Sequence, residues 1–219
     1  MHRIERTQKM NENEKIARLA ELGTATVYEA SGRQGLIDLP FIQVIPKSRV
    51  AGKARTVLCG QGDNVMVHAC IEQIQPGDIV VLAQPESQAS ALIGDLLVTQ
   101  MMMAGAAGVL SNGAVRDYEE LVELGLPIWT QFVRVRGATK TEIGQLNIPV
   151  GIGGTIIHPG DIVVMDADGA ITVRPSRLDE ILQKAEARAA KEEEDRKRFK
   201  NGERSYDIRG WRQFVEAPR

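Results

Sequence analysis

Apolar residues recur at helical spacing in several stretches of the chain. The first stretch follows Asn13, which can cap a helix, and it ends at Gly23. Thr24 can cap a second helix, and Asp63 can cap a third. The pattern predicts helices over residues 13–22, 24–30, 63–73, 96–104, 119–125 and 177–200.

Short apolar runs bounded by turn residues predict strands between these helices. The letters Pro-Gly-Asp-Ile-Val occur at residues 76–80 and 159–163, and each copy predicts a tight turn feeding a buried strand. Asp168-Gly169 is a hairpin signal, and Lys53 and Arg55 predict one solvated strand face. The result is a β-rich body with strands at 41–45, 50–58, 79–83, 107–111, 126–129, 132–135, 147–150, 155–157, 162–165 and 170–173.

The chain divides by composition into three segments. Residues 1–14 are polar and are expected to be flexible, residues 15–176 form an α/β domain, and residues 177–219 form a charged helix and a tail. Pairs of opposite charge at spacing four support the helix. These pairs are Glu192–Arg196, Glu193–Lys197 and Glu194–Arg198.

The tail is unusually aromatic for a polar extension. Phe199, Tyr206, Trp211 and Phe214 are four of the nine aromatic residues, and all lie in the final 21 positions. Such side chains indicate burial against another surface. We therefore expect the helix and tail to pack on a neighbouring subunit.

Composition narrows the possible partners and location. The 219 residues are 43% hydrophobic and carry a net charge of −2, with 27 basic and 29 acidic residues, which gives no support for a general nucleic-acid surface. Cys59 and Cys70 form neither a metal-binding pattern nor a disulfide framework. The first residues lack an apolar signal core, and no stretch is long and apolar enough for a membrane span. A cytoplasmic protein without a membrane partner is expected.

The segment from Gly94 to Asp117 organises the rest of the chain. Its pattern predicts a loop, a buried helix over 96–104, a buried strand over 107–111 and a turn carrying Arg116 and Asp117. Gly94 would permit an unusual backbone angle before the helix. The strand would return the chain to the start of the helix, so that Arg116 and Asp117 could face the Gly94 loop.

This arrangement suits an oxo-acid ligand. Free N–H groups at the helix start and an arginine can bind a carboxylate and a keto oxygen, and one aspartate can hold a hard cation between them. The alternative is a surface turn with an Arg–Asp ion pair and a helix cap at Asp95. Short motifs alone do not separate these two interpretations.

Other polar residues have simpler interpretations. His68 has no second histidine at ligand spacing, which favours a packed or capping role over metal binding. Glu29 and Arg33 favour a surface ion pair. The polar loop over residues 84–90 has the composition of a mobile lip over a site.

Two motifs in the organising segment resemble a known family. They are Gly94-Asp95-Leu96-Leu97 and Gly113-Ala114-Val115-Arg116-Asp117. They resemble the 4-hydroxy-4-methyl-2-oxoglutarate / 4-carboxy-4-hydroxy-2-oxoadipate aldolases, within the broader regulator of ribonuclease activity A (RraA-like) family. The likeness extends over roughly residues 15–212 and includes residues 62–64, 71–73, 76–78, 126–129, 147–150, 166–169 and 202–210.

The resemblance implies an α/β fold of the swivelling-domain type, with a β-sandwich or barrel-like core flanked by helices. It implies trimers, often paired into hexamers, with sites between subunits. It also implies that the backbone of Gly94, Asp95, Leu96 and Leu97 binds the substrate carboxylate. Arg116 would bind the keto-acid oxygens, and Asp117 would bind Mg²⁺ or Mn²⁺ directly. Glu192 or Glu193 of a neighbouring subunit would approach the metal through water.

The resulting functional prediction is a metal-dependent aldolase that cleaves a 4-hydroxy-2-oxo dicarboxylic or tricarboxylic acid to pyruvate and a second oxo acid. Oxaloacetate decarboxylation is an expected side activity. Arg116 would stabilise the enolate, and a water oriented by Asp95 or the neighbour's glutamate is a candidate base. A Schiff-base mechanism is disfavoured because no lysine lies within residues 94–117. The alternatives are a regulatory protein that inhibits an RNA-degrading enzyme, and a decarboxylase or hydrolase of another oxo acid. The loop 84–90 departs from the family pattern and leaves the preferred substrate open.

Overall fold

The computed structural model describes residues 10–216 of the chain. Residues 1–9, part of the predicted flexible segment, therefore lie outside the described residues. Two short 3₁₀ turns, Ile71–Gln73 and Pro175–Arg177, accompany the helices. The helices are α1 (Glu12–Leu22), α2 (Thr24–Ala30), α3 (Val65–Cys70), α4 (Asp95–Met103), α5 (Tyr118–Leu124), α6 (Leu178–Lys200), α7 (Ser205–Ile208) and α8 (Trp211–Val215).

The strands form one large mixed sheet and one small hairpin sheet. They are β1 (Leu36–Ile37), β2 (Ile42–Gln43), β3 (Val50–Leu58), β4 (Ile79–Ala83), β5 (Ala91–Ile93), β6 (Gly108–Val115), β7 (Ile128–Val133), β8 (Gln145–Leu146), β9 (Val150–Ile152), β10 (Thr155–Ile157), β11 (Ile162–Asp166) and β12 (Gly169–Val173). The predicted α/β class, with a β core flanked by helices and a long C-terminal helix, is confirmed. The structure shows this core as one large sheet with a small hairpin sheet.

The centre of the large sheet is parallel. Its order is β1-β12-β11-β3-β4-β6-β7-β2, with β5 added beside β6 and β8 beside β3. Strands β3, β4, β6 and β7 run parallel, whereas β11, β12 and β1 extend the sheet antiparallel. Every residue of β4 and β6 is buried, as expected for strands covered on both faces.

Alternate residues of β4 pack into two different hydrophobic cores. Val80 and Leu82 pack with α3, α4 and α5 on one face. Ile79 and Val81 pack on the other face with Trp129 and the β9–β10 hairpin sheet. A third core joins α1, α2 and the first turns of α6 to β11 and β12. Burial on both faces fixes the register of the central strands, and so fixes where their carboxyl ends lie.

The two Pro-Gly-Asp corners form the predicted tight turns before β4 and β11. The Asp78 N–H donates to Gln75 O at 3.0 Å, and the Asp161 N–H donates to His158 O at 3.0 Å. The Asp166–Gly169 hairpin also forms as predicted. Arg55 is less solvated than predicted, because its guanidinium pairs with Asp78 at 2.9 Å.

Helix starts differ from the prediction at three places. Asn11 caps α1, accepting from the Glu14 N–H at 3.0 Å, so the predicted cap Asn13 lies inside the helix. Thr24 is the first residue of α2 and not its cap; its hydroxyl and N–H both donate to Asp166. Asp63 stands two residues before α3, which is shorter than predicted. The cap positions are held by a neighbouring residue in each case: Asn11 at α1, Gly23 at α2 and Asn64 at α3.

Helix α4 is not enclosed within this chain, contrary to prediction. Leu97, Val98 and Met101 are buried, but Leu96 is 73% exposed and Met103 is 84% exposed. The apolar sequence predicted burial all round, yet only one face of α4 meets the sheet. The other face leaves an apolar surface uncovered by residues 10–216.

The C-terminal helix forms as predicted, but its charges pair differently. Glu192 pairs with Arg188 at 2.9 Å, and Glu193 pairs with Arg196. Phe199, in the last turn of α6, is 41% exposed, and Trp211 and Phe214 in the tail beyond α6 are also exposed. Within the described residues, no helix is long and apolar enough to span a bilayer.

Candidate functional site

The carboxyl ends of β5 and β6 bring the predicted site residues together. These strands are parallel neighbours, and the Arg116 N–H donates to Ile93 O at 3.2 Å. Gly94 and Asp117 follow these strand ends directly, so they face each other although 23 positions apart in sequence. The prediction that Arg116 and Asp117 face the Gly94 loop is confirmed.

Gly94 is required for space and not for an unusual backbone angle. Its φ of −140° and ψ of −168° are ordinary extended values, which contradicts the predicted conformational role. A Cβ at this position would lie 2.2 Å from Asp117 Oδ2 and 3.2 Å from Arg116 Cγ. Only a residue without a side chain lets the carboxylate approach the start of α4 this closely.

Asp117 adopts a left-handed backbone, with φ of 57° and ψ of 47°. Aspartate is one of the few residues besides glycine that tolerate this conformation. Its Oδ2 accepts from the Asp95 N–H at 3.3 Å and lies 3.5 Å from Arg116 Nε. Both contacts use Oδ2, so Oδ1 can coordinate a cation.

The start of α4 supplies further donors. Gly94 is the N-cap, so Asp95 is the first helical residue and not the cap of the alternative interpretation. The N–H groups of Leu96 and Leu97 lie in the first turn, where the helix provides no carbonyl partner. These groups and the helix dipole favour an anion beside Arg116.

These residues line one cleft of about 240 Å³. Gly94 to Leu97, Arg116 and Asp117 form one side. The lining is completed by Asn64, the N-cap of α3, by His68 in the last turn of α3, and by Ala138 and Lys140 from the segment after β7. The arrangement places an arginine, a lysine and two aspartates around a space suited to a small anionic ligand.

Sequence reasoning missed Asn64 and Lys140. No lysine lies within residues 94–117, but the fold brings Lys140 into the same cleft, so the sequence ground for disfavouring a Schiff base does not hold. His68 also lines the cleft, a position that the packed or capping interpretation did not anticipate. The sequence signals near Asn64 were the family likeness over residues 62–64 and Asp63, which was interpreted as a helix cap, and neither assigned a role to Asn64.

Asp63 fixes the segment that carries Lys140. Its buried carboxylate accepts hydrogen bonds from the N–H groups of Val65, Thr141 and Glu142 and from the hydroxyl of Thr139. Burial by itself would raise the pKa of Asp63, but these four hydrogen bonds outweigh it and lower the pKa to about 2. Asp63 therefore joins the turn before α3 to the other end of the cleft.

We expect Asp63→Asn to lower the free energy of unfolding at pH 7 by about 2–3 kcal/mol, because charge-assisted hydrogen bonds are lost. The folded-state pKa of Asp63 is depressed, so its stabilisation is present above the unfolded pKa of about 3.9 and is lost as pH falls towards about 2. Urea unfolding should thus show a smaller difference from the wild type at pH 3 than at pH 7. Asp168→Asn, at an exposed turn, is the control; a constant difference across this range would contradict the assignment.

The loop over residues 84–90 is tethered beside the site and does not line the cleft. Gln84 and Asn112 exchange two hydrogen bonds, at 2.8 and 3.0 Å. Gln61 and Glu86 also exchange two, both at 3.0 Å. The interpretation as a lip over the cleft is therefore wrong in position, since polar composition alone does not say what a loop bonds to.

Two of the smaller expectations can be compared directly with the structure. Glu29 and Arg33 form the predicted surface ion pair at 3.2 Å. Cys59 and Cys70 are buried free thiols, and burial raises the pKa of Cys59 to about 12 and that of Cys70 to about 11. Neither thiol is prepared for nucleophilic chemistry.

The donor set fits a hard cation held by one carboxylate. No cluster of three or more His, Cys, Asp or Glu occurs within residues 10–216, so the described residues provide no closed cage. Mg²⁺ commonly binds through one or two carboxylates and keeps several waters or ligand oxygens. Glu192 and Glu193 do not line the cleft of the same chain in the described part, and their predicted role in a neighbour's site stays a prediction.

The fold and the cleft define a mixed α/β protein with a polar site at the carboxyl ends of parallel strands. The chain belongs to the RraA-like family (aldolase/RraA), whose model matches residues 24–172. This agrees with the resemblance carried by the two motifs around Gly94 and Arg116.

The relatives carry names of two kinds, one for an aldolase and one for a family of RNase inhibitors. The chain is 34% identical over 145 residues, 66% of its length and 69% of the relative's, to a "putative 4-hydroxy-4-methyl-2-oxoglutarate aldolase" of Halalkalibacterium halodurans. It is similar in structure to Streptomyces coelicolor RraAS2, described as an unusual member of the RNase ES inhibitor RraA protein family (TM-score 0.74, 30% identity, 86% of this chain and 98% of that one). An uncharacterised Pseudomonas syringae protein has the same fold (TM-score 0.79, 22% identity, 92% and 99% covered).

Proposed function

We propose that the protein is a divalent-metal-dependent aldolase that releases pyruvate from a 4-hydroxy-2-oxo acid. The observation that carries the proposal is that Gly94, Arg116 and Asp117 lie together at the ends of two parallel strands. There the Asp95 N–H donates a hydrogen bond to Asp117 Oδ2. Family membership and the aldolase-named relative support this class of reaction.

The start of α4 and Arg116 would orient the substrate. The free N–H groups of Leu96 and Leu97 would bind the carboxylate next to the 2-oxo group. The Arg116 guanidinium would donate to the 2-oxo oxygen, where negative charge develops. Arg116 is half-exposed in the free cleft and so can reach a ligand.

Cleavage needs a proton acceptor and a stabilised enolate. The 4-hydroxyl loses its proton, the C3–C4 bond breaks, and its electron pair passes to the C2 oxygen as an enolate that is later protonated at C3. Asp95, half-buried in the same cleft, is this chain's candidate to receive or relay the proton. A Mg²⁺ or Mn²⁺ ion held by Asp117 would supply a Lewis acid for the 2-oxo group. Oxaloacetate decarboxylation forms the same enolate and is the proposed side activity.

A pyruvate-release assay tests the proposal. Purified protein should release pyruvate from 4-hydroxy-2-oxo acids only with Mg²⁺ or Mn²⁺, and EDTA should abolish the release. Borohydride treatment in the presence of pyruvate tests the Schiff-base alternative raised by Lys140. An adduct on Lys140 with EDTA-resistant turnover would replace the metal mechanism by an imine mechanism.

We also propose that each site is completed by a neighbouring subunit in a trimer or hexamer. The uncovered apolar face of α4 beside the cleft and the exposed aromatics of the tail support association. The long helix α6 would carry Glu192 or Glu193 towards the neighbour's Asp117, where a carboxylate would act through water.

Subunit mixing should reveal such shared sites. Asp117→Asn subunits and Glu192→Gln/Glu193→Gln subunits are each expected to be inactive, and their mixture should recover part of the activity because some interfaces pair two intact halves. Reassembly of each variant with itself is the control, and single Glu192→Gln and Glu193→Gln variants assign the residue. Full activity of the double variant by itself would exclude the shared carboxylate.

A regulatory role is the second candidate, because RraAS2 belongs to an RNase inhibitor family. The charged helix and aromatic tail would then contact an RNA-degrading enzyme. Metal-dependent pyruvate release distinguishes the two roles, since a pure inhibitor need not turn over an oxo acid.

A further inference from the structure

Asn64 lines the cleft and carries an acceptor that has no partner within the described residues. It is 7% exposed, and its Nδ2 donates to Leu92 O at 2.8 Å. Oδ1 is buried and has no hydrogen-bond partner within the described residues. Because a carbonyl can only accept, the amide group must face Leu92 O, and the unpaired atom is therefore the oxygen.

A buried acceptor without a donor is unfavourable, so its presence beside a cleft points to a missing donor. The substrate's ionised carboxylates only accept, and its 4-hydroxyl gives up its proton in the proposed reaction, so neither supplies a lasting donor. Lys140 lines the same cleft, is exposed, and carries an ammonium group with three donors. One donor can bond Asn64 Oδ1 while the others bond an anion.

The backbone around Lys140 is firmly positioned for this role. The Asn64 N–H donates to Thr139 O at 3.1 Å, directly before Lys140. Asp63 binds the N–H groups of Thr141 and Glu142, directly after it. The lysine therefore extends from a segment tied to the turn that holds Asn64, and only its side chain is free to adjust.

We propose that Lys140, held by Asn64 Oδ1, binds the second carboxylate of a dicarboxylate substrate. This inference rests on the proposed function, in which the first carboxylate binds at the start of α4 and Arg116. The cleft would thus have a cation on each of two separate elements, Arg116 after β6 and Lys140 after β7. Lys140 is a specificity-determining residue, and Asn64 positions it.

Binding of two unreactive ligands tests the inference separately from turnover. The ligands 2-oxoglutarate and 2-oxopentanoate share the 2-oxo acid end and a five-carbon chain, but only 2-oxoglutarate has a second carboxylate. Calorimetry on the full chain with Mg²⁺ should give tighter binding of 2-oxoglutarate. Lys140→Met should weaken the binding of 2-oxoglutarate by about tenfold and that of 2-oxopentanoate by less than about twofold. Lys140→Arg should retain the preference for 2-oxoglutarate.

If Asn64 positions Lys140, Asn64→Ala should weaken the binding of 2-oxoglutarate alone, by about threefold to tenfold. If that variant does not fold, the Lys140 pair still decides the carboxylate assignment. If Lys140→Met weakened the binding of both ligands equally, or of neither, the assignment of Lys140 to the second carboxylate would be overturned. No effect of a folded Asn64→Ala would mean that a trapped water satisfies Oδ1, and would overturn the positioning role.

Failure of the Lys140 inference and failure of the aldolase proposal give different experimental results. A protein that prefers 2-oxoglutarate through Lys140 but releases no pyruvate would retain this inference and lose the aldolase proposal. A protein that cleaves monocarboxylic and dicarboxylic 4-hydroxy-2-oxo acids equally well would retain the aldolase proposal and lose this inference.

Discussion

Asp117→Asn is expected to reduce metal-dependent pyruvate release by more than about a hundredfold, because a ligand should matter more than the outer partners of a metal. The amide keeps an oxygen for the Asp95 N–H, and asparagine tolerates the left-handed backbone at this position. Folding should therefore be preserved, and the loss should reflect the missing negative charge. The measurement is turnover with excess Mg²⁺ and Mn²⁺, together with circular dichroism.

Asp168→Asn is the matched control for Asp117→Asn. It removes one carboxylate from an exposed hairpin turn and should leave turnover unchanged. Asp117→Ala is less informative, since alanine in the left-handed region adds a backbone cost of about 1–2 kcal/mol. Near wild-type turnover of Asp117→Asn would refute the metal assignment.

Gly94→Ala should have an effect of similar size for a steric reason. The added Cβ would meet Asp117 Oδ2 at 2.2 Å, so the carboxylate must leave its position at the start of α4. The backbone angles of Gly94 are accessible to alanine, so backbone strain contributes little. We expect loss of turnover by more than about a hundredfold with a nearly unchanged melting temperature, because displacements of about 1 Å can cost this much.

Gly151→Ala separates this steric effect from a general effect of losing a glycine. Gly151 lies in β9, and a Cβ there would meet nothing within 4 Å. This variant should retain wild-type turnover and stability. If Gly94→Ala also retained wild-type turnover, the close approach of Asp117 to the helix start would have no catalytic role.

The half of the site on Gly94, Arg116 and Asp117 could be predicted because it lies in one contiguous segment. An apolar helix followed by an apolar strand returns the chain to its starting end, and the polar residues at both ends must then meet. The reason for the glycine could not be predicted, since it depends on a side chain 23 positions away. Sequence identified the right residue and the wrong cause.

The half of the site on Asn64 and Lys140 could not be predicted from the sequence. These residues lie 76 positions apart and meet through the hydrogen bonds of Asp63, whose local pattern suggested only a cap. The exposed face of α4 was missed for a related reason. Leu96 and Met103 are apolar, but composition does not state whether this chain or another one covers them.

The Asp63 hydrogen bonds give the two ends of the cleft independent supports. Gly94 and Asp117 depend on the pairing of β5 with β6, whereas Lys140 depends on a carboxylate that lies before α3. Under the proposed function, a substitution at Lys140 would therefore change which acid is accepted without moving the groups that bind the 2-oxo end. As related proteins diverge, the same C–C cleavage could be applied to new substrates through changes in the short segment that carries Lys140.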